Sequence, residues 1–149
     1  MAKRFFSAAV FILLALAVHA QSAEKITELI KADQVSYAQL CYLSATAKGL
    51  VDDTVSYHEA YKVLCDEGTA YAQADAEVPV TLKTVASMCA KTWKVKGGIC
   101  YTLFHTPRYA FRQMKADGVI PSSADPDKTA NGRDVLNIIS ACITTYDRR

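Results

Sequence analysis

Beyond residue 20 the chain carries two imidazoles, His58 and His105, the side chains best suited to move protons near neutral pH. His58-Glu59 opens the HExxH pattern that grips zinc on one helix face, but Lys62 stands where the second histidine would be. His58 therefore reads as a surface residue of a first helical turn. His105 follows Cys100 by five positions, a spacing that could support a thiol-imidazole nucleophile were the thiol free. Asp127-Lys128-Thr129-Ala130-Asn131-Gly132 copies the opening of a calcium loop. Ile138 then replaces the bidentate glutamate and Asp134 takes the usual apolar eighth place, so a polar turn is the better reading. There is no GxSxG and no glycine-rich phosphate loop. The expectation is a protein with no catalytic residue, metal or cofactor, not an enzyme.

The cationic residues are more informative. From Gly49 to Glu77 seven acids face Lys62 alone, whereas Val78 to Ala116 holds seven bases and no acid. One reading is that helices of opposite charge pair with each other; the other is a polar molecule whose basic side meets an anionic partner. Aromatics interleave with the bases in Lys91-Thr92-Trp93-Lys94-Val95-Lys96 and in Arg108-Tyr109-Ala110-Phe111-Arg112. Arg108 and Arg112 lie one helical turn apart and can share an exposed strip. Lys94, Lys96, Arg108 and Arg112 are the expected binding residues, while Trp93, Phe111 and Met114 also fit a core.

Residues 1–20 have the layout of a cleaved secretory signal. Lys3 and Arg4 start it, Ala8 to Val18 is apolar, and Val18-His19-Ala20 offers small residues at a cut, with Ala23 as a second site. The apolar run is short of the roughly 20 residues that span a bilayer, and no later segment is apolar enough to do so. The expected product is an exported chain, periplasmic or secreted, in which residues 21–149 form a single helical domain. Removing Lys3 and Arg4 leaves 15 bases and 15 acids. Export also turns the basic patch away from nucleic acid and toward a protein or an anionic envelope partner.

In an oxidising compartment Cys41, Cys65, Cys89, Cys100 and Cys142 read as disulfide partners with one left over. Cys41 and Cys65 lie symmetrically about Val51-Asp52-Asp53-Thr54, as the rungs of an antiparallel helix pair would. Cys65 and Cys89 are equally symmetric about Val78-Pro79. No CxxC occurs, which excludes thioredoxin-type exchange by motif.

These residues need helices to hold them. Apolar spacing predicts helices over 24–31, 35–48, 80–94 and 134–146, and Ser56-Tyr57-His58-Glu59 is a capping box for another. That helix is expected to stop at Gly68 and continue through Thr69 to Glu77 until Pro79. Gly97-Gly98 should end the 80–94 helix, Thr106-Pro107 caps a helix that stops at Gly118-Val119, and Ser122 to Arg133 is a loop. Ile99 to Phe104 is either a further helical turn or an extended link. Val35-Ser36-Tyr37 recurs at Val55-Ser56-Tyr57, a faint sign of duplication. Together these describe an all-α compact bundle of five or six helices, stapled by about two disulfides.

The expected function is binding of another macromolecule, as an inhibitor or immunity-type module of the cell envelope or secreted space. The alternatives are a carrier of a small apolar ligand, lined by tyrosines and methionines, and an enzyme whose site is assembled from distant residues.

Overall fold

The computed structural model describes residues 23–147, with the side chains of Ile99 and Cys100 excepted. Residues 1–20, the expected signal segment, thus lie outside the described residues. Among the described residues there are seven helices and no strand. They are α1 (23–31), α2 (Tyr37–Ala47), α3 (Tyr57–Asp66), α4 (Leu82–Thr92), α5 (Ile99–Phe104), α6 (Pro107–Ala116) and α7 (Gly132–Tyr146).

Local chemistry sets the ends. Ser36 and Ser56 close reciprocal capping boxes with Gln39 and Glu59. Thr106 and Asn131 each accept a first-turn amide, and Pro107 begins α6. Gly49, Gly68 and Gly118 follow α2, α3 and α6 at φ of 71°, 69° and 76°. Glycine takes this left-handed turn without the steric penalty of a Cβ.

Three buried backbone hydrogen bonds organise the whole. The Val35 N–H donates to the Ala130 carbonyl at 3.0 Å, the Ala130 N–H to Val80 at 2.8 Å, and the Val80 N–H back to Val35 at 2.9 Å. Each of these residues follows one helix (α1, α3 or α6) and precedes another (α2, α4 or α7), so the ring relates three helix pairs by approximate threefold repetition. The equivalence extends to matched hydrogen bonds. Tyr37 and Ala38 donate to the Val78 and Ala76 carbonyls, and Leu82 and Lys83 donate to Lys128 and Pro126. Asp75 and Asp125 each accept the amide two residues on.

This corrects the expected continuation of α3. Residues 69–79 are extended and turned because their carbonyls serve the free amides at the start of α2, which a helix would have used internally. The structural repetition has the register Val35, Val80 and Ala130 and not that of the Val35 and Val55 motifs, because Ser36 and Ser56 cap helices of different kinds. The expected end of α4 at Gly97-Gly98 is also too late, because the chain leaves the helix at Trp93.

The core lies inside the ring of pairs, around Leu40, Tyr42, Leu64, Val85, Met114 and Val135. α2 packs on α3, and α4 on α6. α1 meets α7 through a fully buried Leu29 and the Gly132 N–H, which donates to the Ala32 carbonyl. A Cβ on Gly132 would fall 1.5 Å from the Leu29 carbonyl oxygen, so glycine is required for that approach.

Candidate functional site

The second helix pair differs from the first in its connection. Residues 48–56 join α2 to α3, whereas 93–106 join α4 to α6 and contain α5. The two connections leave their helices alike: Lys94 and Val95 donate to Lys91 and Ala90 as Gly49 and Leu50 donate to Thr46 and Ala45. Lys94 thereby occupies the slot of Gly49, at φ of 48°, where a lysine side chain carries a steric cost. It lines a pocket of about 250 Å³ with Trp93, Val95, Lys96 and Tyr146. The expected binding residues Lys94 and Lys96 therefore share one basic, aromatic recess.

α5 is anchored from beneath. The Gly98 N–H donates to Gln113 Oε1 at 2.8 Å, and a Cβ on Gly97 would strike the Tyr101 ring. The helix ends at His105 in a second left-handed turn, φ 45°. Its outer side is unusually apolar, with Leu103 at 69% and Phe104 at 58% exposure. Phe104 stacks on Tyr109 of α6, with ring centroids 5.4 Å apart and planes at 22°. Arg112 lies 5.9 Å above the Tyr109 ring. Arg108 and Arg112 are both exposed on α6, which also displays the aromatic stack.

This face can seat carboxylates on guanidinium groups next to a preformed apolar surface, which is the residue mix of binding hot spots. His105 is exposed beside Tyr101, with ring centroids 5.3 Å apart, and the Cys100 side chain lies outside the described residues. Trp93, Phe111 and Met114 are core residues, as expected. The calcium-like stretch is committed elsewhere: Asp127 pairs with Lys83, Asn131 caps α7, and Asp134 pairs with Lys128. Among the described residues no group of three His, Cys, Asp or Glu side chains is placed to hold a metal.

The charge segregation is not consumed by helix pairing. Among the described residues the ion pairs are Lys48–Asp147, Lys83–Asp127 and Lys128–Asp134. None joins the acidic stretch 49–77 to the basic stretch 78–116, and α3 packs on α2 rather than on α6.

The cysteines form two neighbouring sets. Cys41 on α2 is buried and feels the Cys65 thiol of α3, and burial pushes its pKa up to about 12. The neighbouring Cys142 thiol of α7, together with burial, raises the pKa of Cys89 on α4. These four thiols are unbridged in the structure. Compared with protein-family models, curated proteins and solved structures, the chain matches none.

Sequence reasoning missed Leu103 and Phe104. Their signal was an apolar run, Ile99 to Phe104, too short for a core helix and enclosed between Gly97-Gly98 and Thr106-Pro107.

Proposed function

We propose that this chain is an exported, disulfide-stapled helical protein that works by binding another macromolecule, in the manner of an inhibitor or immunity-type module of the envelope. The α5–α6 face supplies the contact. The observation that carries this reading is the display of Leu103 and Phe104 on an element absent from the first helix pair, beside two exposed arginines. A partner of matching chemistry is a protein with carboxylates around an apolar recess. Bridges Cys41–Cys65 and Cys89–Cys142 follow the thiol neighbourhoods and leave Cys100 spare. Each would stabilise the fold by about 3 kcal/mol.

The test uses the natively exported protein and two double variants, Arg108→Glu with Arg112→Glu and Leu103→Ser with Phe104→Ser. A partner captured by the unaltered chain, lost with both variants and weakened by raising salt, supports the reading. A partner retained by both variants, or no partner at all, overturns it. Non-reducing peptide mapping of the same material tests the two bridges.

A further inference from the structure

We propose a second site, independent of the α5–α6 face: the groove between α4, the 119–128 loop and α7 takes a small aromatic molecule bearing an amine. The groove holds about 460 Å³ over an apolar floor that includes Leu82, Ile120 and Ile138. Its counterpart in the first helix pair holds about 250 Å³, between Tyr37, Ala74, Asp75 and Thr84. The difference lies in one ring. Tyr37 fills the first groove, and its hydroxyl accepts the Tyr71 N–H at 3.1 Å.

In the second pair Leu82 stands at the place of Tyr37, and Pro121 at the place of Tyr71. The ring and the N–H that it served are therefore absent together, so the vacated space leaves no backbone donor stranded. The loop keeps its shape by other means. Where the Tyr61 hydroxyl holds the Tyr71 and Ala74 carbonyls, Lys115 Nζ holds the Ala124 carbonyl at 3.2 Å. The slot is preformed for a planar ring that the first pair supplies from within.

The rim selects the substituent. Asp125 and Asp134 border the groove against Lys128 alone, and Lys128 Nζ already sits 2.9 Å from Asp134. Among the described residues Asp125 is the lining carboxylate without an ion pair, which favours an ammonium group over a carboxylate although Lys115 Nζ sits on the neighbouring Ala124 carbonyl.

The test is an NMR titration of the full mature chain with tryptamine, indole-3-acetate and N-acetyltryptophanamide, following backbone amides. Tryptamine should bind with a dissociation constant of about 1 mM or tighter, shifting Leu82, Ile120, Ala124 and Ile138. Indole-3-acetate should bind at least tenfold more weakly. N-acetyltryptophanamide binding as well as tryptamine would point instead to a partner's side chain and overturn the proposal. Leu82→Tyr restores the internal ring, and Asn137→Trp lids the groove from its exposed rim without entering the core. Each should weaken tryptamine at least tenfold with an unchanged helical melt. Binding unaffected by Asn137→Trp overturns the site even if Leu82→Tyr does not fold, and so does the absence of shifts at these amides.

Discussion

At Lys94 the left-handed backbone sets stability against the proposed binding. Glycine fits this slot at Gly49, and replacing Lys94 with glycine removes the Cβ clash at φ of 48°. Lys94→Gly should raise the free energy of unfolding by about 1 kcal/mol in a denaturant titration, while weakening capture of the partner. Tyr61 gives the opposite case. Its hydroxyl bonds two loop carbonyls, at 3.1 and 3.0 Å, so Tyr61→Phe should cost about 1 kcal/mol by the same titration. Titrating groups act with a defined sign. The Lys48 ammonium lowers the Asp147 pKa, and Lys83 lowers that of Asp127. A depressed carboxyl stabilises the fold above its unfolded value and loses that effect as pH falls through the folded one, so thermal stability should drop below about pH 4. The raised Cys41 thiol acts in reverse. In the reduced protein its contribution is complete below about pH 8.5 and disappears as pH climbs toward 12.

At the level of elements, the helices were legible because capping residues and glycine stops are local. Ser36, Ser56, Thr106 and Asn131 start helices where their side chains can accept an amide, and Gly68 and Gly118 follow helix ends. Residues 69–79 misled because the acceptors for the amides of α2 come from another part of the chain, which local propensity does not record. The arginine strip on α6 was readable from its spacing. The exposure of Phe104 was not, since an apolar residue in sequence points to a core unless its cover is known. α1 is tied to α7 through Leu29 and Gly132 and to the α2–α3 connection through Lys25, whose Nζ donates to the Thr54 and Val55 carbonyls. Leu29→Ala should cost about 3 kcal/mol. Gly132→Ala should cost at least as much, because the Cβ meets backbone rather than a side chain that can move; hydrogen exchange should then show α1 opening before the other helices.

The molecule as a whole is a ring of three helix pairs in which the charges are separated around the circuit. α3 and α6 hold equivalent places in the repeat and have opposite characters, acidic for the first and basic for the second. Neither neutralises the other, so the separation survives as a field outside the protein. That field is the part of the function reading that composition already contained; the aromatic wedge inside it required the fold. A repeat with three slots also lets one slot change without disturbing the rest, as the inserted α5 and the ring-deficient groove of the second pair show.

The three-residue hydrogen-bond ring sets the order in which a newly delivered chain can mature. Val35 emerges before Val80 and Ala130, so the circuit cannot close until Ala130 is released. α1 can meet the α2–α3 connection early, through Lys25, but its contact with α7 must wait for Gly132. Its natural place in the circuit is after the C-terminal helix. A rearranged gene that begins in the 93–98 connection and joins residue 147 to residue 23 by a linker like 48–56 would give α1 and α7 to the ribosome together. Such a permutant should reach the native state faster than the natural chain while melting at a similar temperature. A refolding rate no different from the natural one would show that closure of the ring is not what the chain waits for.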